Sequence, residues 1–532
     1  MYACGEVNTA QEAHVILSEG LLRQRIQVVV DTFLSRGGES LRSGASGGAT
    51  SHEDLFASLF SDLLRLAEET VCICLSSASL LGLSSSFSFL GACFWAELME
   101  ALRRNNLRTI FSSHHPDSFS KMYLRWQHFV GELQRLCQNC DPTSSEDLTQ
   151  HPSYHAFEDA WNFSIYYSLR FQELVEPLEN CLSDSHQGTG RAPDALRATL
   201  VVRSEDAVGA APMCFTEGCL RAQLLVQRAW SSEVLLTPVI PKMLRLTMQV
   251  VSRLVQHGRQ LCSQDSVGPS SLLTWQLDLH ALCQFISWTL LMYRSSCWHD
   301  CGSDTVKAVM QDLVSDMRLD VDTLLSQEVH PRLAALLTGM CLQPLAQIPK
   351  VMSAYRMTSR DVTGPSDYIQ EVLHPLQSLL EEVPMSPSQS TQVKEEGWWH
   401  QVVLGIVERF YVQCREVIDT GRKTEESLRK LMQMQQQGGQ QGSGSVDAEG
   451  SAGGQKRPVS DMDRITAQLC LDVHTLQSLL RKMGLWPPPP SPPASDGCPP
   501  DARGVVGERM EELEHLVHAG RTILEAAGLW TN

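Results

Sequence analysis

The stretch Val403-Leu-Gly-Ile-Val-Glu-Arg-Phe-Tyr-Val-Gln-Cys-Arg-Glu-Val417 decides the fold class. Val403, Ile406, Val407, Phe410, Cys414 and Val417 step by three or four, the spacing that places side chains on one face of a helix. The stripe continues to Leu428 and Leu431, which predicts one helix of roughly 30 residues, about 45 Å long. A stripe of this kind serves either as bundle core or as a groove for a partner helix. Neighbouring helices in one chain normally bury their stripes against each other, so core is the expectation.

The same period recurs on both sides. Upstream lie Tyr167, Phe171, Leu174, Leu178 and Leu182, then Met243, Leu246, Val250, Val251 and Leu254. Downstream lie Ile465, Leu469, Val473, Leu476, Leu480 and Met483. Strand-like alternation is nearly absent, and Leu200-Val-Val-Arg203 is too short to build a sheet on. The reading is all-α: multi-helix bundles joined end to end into an elongated rod. No fixed-period repeat marks a solenoid.

Breakers separate the helices. Arg36–Ser51 is Gly/Ser-rich and reads as a flexible loop. Asp141-Pro-Thr-Ser-Ser145 and Ser183–Asp194 read as further loops, while Pro238 and Pro241 sit where a helix starts. Pro384–Ser390 breaks a helix ending at Glu382. Gln435–Gly454 has the Gln/Gly/Ser composition of a disordered linker. Trp486 opens a polyproline spacer, and a last short helix spans Glu508–Ala527. The expected segments are therefore a helical N-terminal part (1–110), a helical rod domain (111–300) and a C-terminal helical domain (301–434). A linker (435–463), an amphipathic helix (464–485) and a Pro-rich tail with a short helix (486–532) follow.

Composition excludes several classes. The chain has 532 residues, 43% of them hydrophobic, and a formal net charge of −18. An acidic chain repels phosphate backbones, so nucleic acid is not an expected partner. Seventeen cysteines, odd in number and irregular in spacing, fit reduced thiols better than a disulfide framework. The N-terminus lacks the basic and apolar regions of a signal peptide. Val71–Trp95 carries no charge and is long enough to span a bilayer. Seven of its residues are serine and Gly82 and Gly91 interrupt it, so it reads as a loop followed by a buried helix.

Chemical motifs are missing: no phosphate-binding loop, no G-x-G-x-x-G after a strand, no nucleophile elbow, no H-E-x-x-H. Cys137 and Cys140 form a C-x-x-C, but there is no second pair, and His128, His151 and His155 have no ligand spacing. Cys137 shares a helical stripe with Phe129 and Leu133, so packing is its expected role. Cys297, His299 and Cys301 alternate and cannot aim at one ion from a helix. Cys72 and Cys74 lack a partner histidine. His114 and His115 read as a loop pair, and Glu395 and Glu396 as solvated surface. Nothing links the Ser, His and Asp residues into a triad. No catalytic, cofactor-binding or metal-binding residue is assigned, and no cofactor is expected.

Several segments are nonetheless familiar. They are His115-Pro-Asp-Ser-Phe119 through Tyr123, Phe129-Val and Leu133-Gln-Arg-Leu-Cys137; His151-Pro-Ser-Tyr-His-Ala-Phe157 with Trp161-Asn; and Tyr167-Ser-Leu-Arg-Phe-Gln-Glu-Leu174. Next come Ala229-Trp-Ser-Ser-Glu-Val-Leu-Leu-Thr-Pro238 and Leu244-Arg-Leu-Thr-Met-Gln249. Ser366-Asp-Tyr-Ile369, Leu373-His-Pro-Leu376, Glu426-Ser-Leu-Arg-Lys-Leu431 and Asp463-Arg-Ile-Thr-Ala-Gln-Leu-Cys-Leu-Asp-Val473 complete the set. In this order, from about residue 87 to 485, they resemble the family of second subunits of the conserved oligomeric Golgi complex.

The resemblance implies a helical-rod tethering subunit (CATCHR type) without enzymatic activity, peripheral on the cytosolic face of Golgi membranes. Its implied partners are the other subunits of that complex, with SNARE proteins and Rab GTPases, in intra-Golgi retrograde transport that maintains Golgi structure and glycosylation. The alternative is a helical scaffold of another trafficking complex. The family's N-terminal coiled region is not visible here, which suggests a truncated chain. The Ser-rich run at 71–86 and the Pro-rich tail after Trp486 are not family features.

Overall fold

The computed structural model describes residues 16–42, 52–81, 90–105, 115–140, 152–183, 190–193, 196, 214–297, 304–356, 360–438, 460–485 and 502–526. Among them the chain is helical, as the periodicity predicts. The one strand-type pairing is an isolated antiparallel bridge between Arg191 and Thr216. Two compact units form, each from three stretches of sequence: 1–184, 221–250 and 286–302 in the first, 185–220, 251–285 and 303–532 in the second.

The first unit contains α1 (Arg23–Arg42), α2 (His52–Leu81), α3 (Ala96–Arg104), α4 (Pro116–Cys140), α5 (Pro152–Glu158) and α6 (Phe163–Ser183). Parts of α7 (Glu217–Ala229), α8 (Ile240–Ser263) and α9 (Pro269–Cys297) belong to it as well. Its interior is aromatic. Trp126 lies 4.5 Å from Phe157, 5.7 Å from Phe129, 5.9 Å from Trp95 and 6.0 Å from Phe60, centroid to centroid. Such tilted and stacked pairs add to simple area burial. The Trp126 indole N–H donates to Glu158 at 2.9 Å, so this buried ring has its one donor met.

The second unit adds α10 (Asp304–Leu324), α11 (His330–Leu342), α12 (Ile348–Tyr355), α13 (Tyr368–Glu382), α14 (Pro387–Glu395), α15 (Gly397–Gly438), α16 (Asp461–Lys482) and α17 (Ala502–Ala526). Helix α15 packs against α11, α12, α16 and α17. Val403, Ile406, Val407, Phe410, Cys414 and Val417 are all buried. The start and stop of α16 are written locally. Ser460 and Asp463 form a reciprocal capping box at 3.0 and 3.1 Å, and Asp461 and Asp463 complement the positive end of the helix dipole. At the other end Gly484 takes φ +75°. Leu485 N–H bonds Leu480 C=O and Gly484 N–H bonds Arg481 C=O, both at 2.9 Å, the Schellman stop that favours glycine. Close helix approach needs glycine at Gly520, where a Cβ would lie 2.4 Å from the Thr466 carbonyl oxygen.

The structure corrects the sequence reading in several places. Helix α1 continues to Arg42, through part of the Arg36–Ser51 segment read as a loop. Val71–Leu81 belongs to α2 despite its serines. Isolated serines cost a helix only tenths of a kcal/mol each, too little to end it. No described helix is long and apolar enough to cross a membrane. On α6 the buried face is Tyr166, Arg170, Leu174, Leu178, Cys181 and Leu182; Phe171 is 37% exposed. The predicted stripe was therefore one residue off at its start, because Arg170 reads as polar. Helix α15 has 42 residues, not about 30, and runs through Gln435 to Gly438. Its Leu428 and Leu431 are exposed. The helix before Pro384 does end at Glu382, but α14 begins inside the expected break, at Pro387. The last helix starts at Ala502, before Glu508. The calls on Asp141–Ser145, Leu200–Arg203, Gly439–Gly454 and the polyproline segment lie outside the described residues.

Candidate functional site: polar clips and a free helix face

Buried polar groups are expensive unless paired, so they mark where a helical protein spends specificity. Asp472 on α16 is fully buried. Its carboxylate accepts from the Ser366 N–H at 2.7 Å, the Ser366 hydroxyl at 2.8 Å, the Tyr368 hydroxyl at 2.8 Å and the Gln468 amide at 2.9 Å. Burial raises its pKa, and these four bonds act against that rise. The Tyr355 hydroxyl donates to Gln468 at 2.6 Å. Four donors around one carboxylate fasten the start of α13, α12 and α16 together. All its lone pairs are engaged, so it is a clip and not a poised base.

Asp278 on α9 makes the same kind of clip. It accepts from the Phe215 N–H at 2.8 Å and from the Thr216 N–H and hydroxyl at 2.6 Å. In the first unit the buried Arg170 guanidinium reaches Asp117 at 2.5 Å and Glu173 at 2.8 Å, while Arg228 joins Glu173 at 2.6 Å. Burial alone would lower the Arg170 pKa; its bonds to Tyr166, Asp117 and Glu173 together raise it. The Trp230 indole donates to Thr247 at 2.9 Å, and the Tyr166 hydroxyl to the Val234 carbonyl at 2.5 Å.

Three of these clips join segments that carry the family resemblance, and the Asp278 clip lies outside them. Ser366-Asp-Tyr meets Asp463–Val473 through Asp472. His115-Pro-Asp117 meets Tyr167–Leu174 through Arg170. Ala229–Pro238 meets Leu244–Gln249 through Trp230 and Thr247.

A cleft of about 570 Å³ opens in the second unit, lined by Leu277, His280, Arg318, Asp322, Gln389 and Glu396 among others. Glu396 is not the solvated residue its neighbourhood in sequence suggested. It accepts from the Gln276 amide at 2.9 Å and from the Trp398 indole, with His330 at 3.4 Å. Burial lowers the His330 pKa, against the pull of Glu396 and with the push of His280. Both signs of charge line the cleft, and Cys283 in its wall is held as a thiol by burial, its pKa raised to about 12.

Among the described residues the sequence candidates form no metal-holding cluster. Cys137 is half-buried on α4 beside the buried Phe129 and Leu133, whereas His128, His155, His115 and Cys72 are exposed. The side chains of Cys74, Cys140, Cys297 and Glu395, and residues His114, His151, His299 and Cys301, lie outside the described part. No described group of three or more His, Cys, Asp or Glu side chains could hold a metal. The buried thiols are pushed away from reactivity: burial raises Cys283 and Cys341 to about 12 and Cys470 to about 11.

What remains is surface. Past Gly421, helix α15 leaves its neighbours, and Leu428, Leu431, Met432 and Met434 stand 39, 60, 63 and 70% exposed. Helical units held by internal polar clips, with an apolar helix face exposed among the described residues, define the class: an all-helical bundle protein. The particular family follows from sequence comparison. The profile described as "COG complex component, COG2, C-terminal" matches residues 159–473, more than half of the chain, and the chain belongs to that family. It is similar to "Conserved oligomeric Golgi complex subunit 2" of Homo sapiens, 24% identical over 451 residues, covering 75% of this chain and 55% of the human protein. The proteins of the same name from Drosophila melanogaster and Arabidopsis thaliana are 25% and 24% identical, over 75% of this chain and 53% and 51% of their own lengths. The chain spans about half the length of the curated relatives it matches.

Proposed function

We propose that this chain is a non-enzymatic subunit of the conserved oligomeric Golgi complex, acting in vesicle tethering for intra-Golgi retrograde transport. The family match over residues 159–473 carries the reading. The buried charges of Asp472, Asp278 and Arg170 support it, since each is engaged in fastening one segment of the chain to another. On this reading the chain has no catalytic, cofactor or metal site. It sits peripherally on the cytosolic face of Golgi membranes, bound to sister subunits and meeting SNARE proteins and Rab GTPases. The test is affinity purification of the tagged full chain from cells. Recovery of the other subunits of the complex supports the reading, and their absence from the purified material sinks it.

A further inference from the structure

The uncovered end of α15 continues a stripe whose first half is an interior contact. Phe410, Cys414 and Val417 are buried; Gly421, Thr424, Leu428 and Leu431 carry the same three–four spacing onward without a break in register. Cover stops at Gly421, where a Cβ would lie 2.2 Å from the Met462 sulfur at the start of α16. Beyond that point Met432 widens the apolar face. A stripe at this spacing is the seam that takes a second helix, and methionine suits an adaptable contact.

Three observations choose the occupant. The chain that follows, Gly439–Val459, has only Val446 and Val459 as large apolar residues, too few to fill the seam. Between Gly421 and Gly438 stand four basic residues (Arg422, Lys423, Arg429, Lys430) and two acidic ones (Glu425, Glu426), a local balance of +2 in a chain of net −18. Like charge disfavours a second copy of this segment and favours a helix with acidic flanks. Finally, an independent stable interface buries about 800 Å² per partner. A few side chains over three helical turns supply only part of that, as suits one contact within a larger assembly.

We propose that Leu428, Leu431 and Met432 form a docking seam for an acid-flanked amphipathic helix of another polypeptide. On the reading above, which this inference extends, that polypeptide is a sister subunit of the Golgi complex.

The test uses the full chain in cells with a photo-crosslinking phenylalanine at Leu431 or Met432, and at the exposed Glu408 as control, followed by mass-spectrometric mapping. The expected result is a crosslink from 431 and 432, not from 408, to an acid-flanked helical segment of a co-purifying subunit, lost on Leu428→Asp. The doubly substituted L428D/L431D chain should recover at least fivefold less of that subunit while melting at the unchanged temperature. Crosslinks confined to this chain, whether to its own residues 527–532 or to a second copy, overturn the inference, as does full recovery by L428D/L431D. If no sister subunit co-purifies but 431 still marks an acid-flanked helix of a different protein, the seam stands and the Golgi reading fails.

Discussion

Helix α15 holds two halves with one pattern and opposite fates. From Val402 to Ile418 its stripe is buried against α11, α12, α16 and α17. From Arg422 to Gln435 the same three–four register faces outward. Periodicity reports which residues share a face; it says nothing about what covers the face. The difference lies in the neighbours: α16 begins only at Asp461, with Met462 against Gly421. The largest test of the contrast is therefore Phe410→Ala beside Leu431→Ala. Phe410 is fully buried, and removing a core phenylalanine costs about 3–5 kcal/mol through lost burial and a residual cavity. Its melting temperature and steady-state level should both fall clearly. Leu431→Ala should change stability by less than about 0.5 kcal/mol. Equal effects from the two would show that the outer half is covered after all.

The next effect is at the Asp472 clip, inside the region of the family match. Asp472→Ala leaves the Ser366, Tyr368 and Gln468 donors without an acceptor in a dry site, and should cost about 3 kcal/mol. Asp472→Asn should cost much less. The Ser366 and Tyr368 hydroxyls can turn to accept from the new amide, and the charge that burial opposes is gone. Denaturant melts of the three proteins check the order; an Asn variant as weak as the Ala variant would mean that the negative charge itself holds the clip.

Much of the fold was legible because it is periodic. The stripes through Met243–Leu254 and Ile465–Met483 are buried residue for residue, and Pro238, Pro241 and Pro384 mark helix limits where they were expected. The missed features share one cause. Arg170, Asp278, Glu396 and Asp472 are charged residues that read as surface in one dimension, and only tertiary pairing makes their burial affordable. Asp472 gave a faint signal, standing alone among Cys470, Leu471 and Val473. The resemblance carried more: three of the four clips join its segments, though sequence order alone does not show which segment meets which. Composition likewise yields linear segments, whereas each compact unit draws on three stretches of chain.

A smaller effect concerns acid. His330 has its pKa lowered by burial, with Glu396 and His280 facing it. A histidine ionises near 6.5 when unfolded, so below that pH the unfolded chain binds the proton first and the folded state loses stability as pH falls. Melting temperature should decline on acidification from pH 7 towards 5.5, and His330→Gln should flatten that part of the decline. An unchanged slope in the variant would assign the acid sensitivity to other groups. The clip at Asp472 has the opposite sign: its raised pKa lets protonation relieve a buried charge, so it does not contribute to the loss.

The smallest effect belongs to the far end of α15. Gln433 and Gln435 are exposed, and the residues after Gly438 offer almost no apolar surface to bury. Deleting Gln435–Gly454 removes the last turn of a helix whose anchoring ends near Gly421, so it should shift the melting temperature by no more than about 1–2 °C. Because Leu428, Leu431 and Met432 are retained, partner recovery should also persist. That outcome separates the seam from the linker as the active element. If the deletion leaves melting unchanged but abolishes recovery, the contact lies in the Gln-rich segment itself, and the exposed leucines are a helix end of no consequence. If melting collapses, Gly439–Gly454 covers the stripe, and the two halves of α15 differ less than their exposure shows.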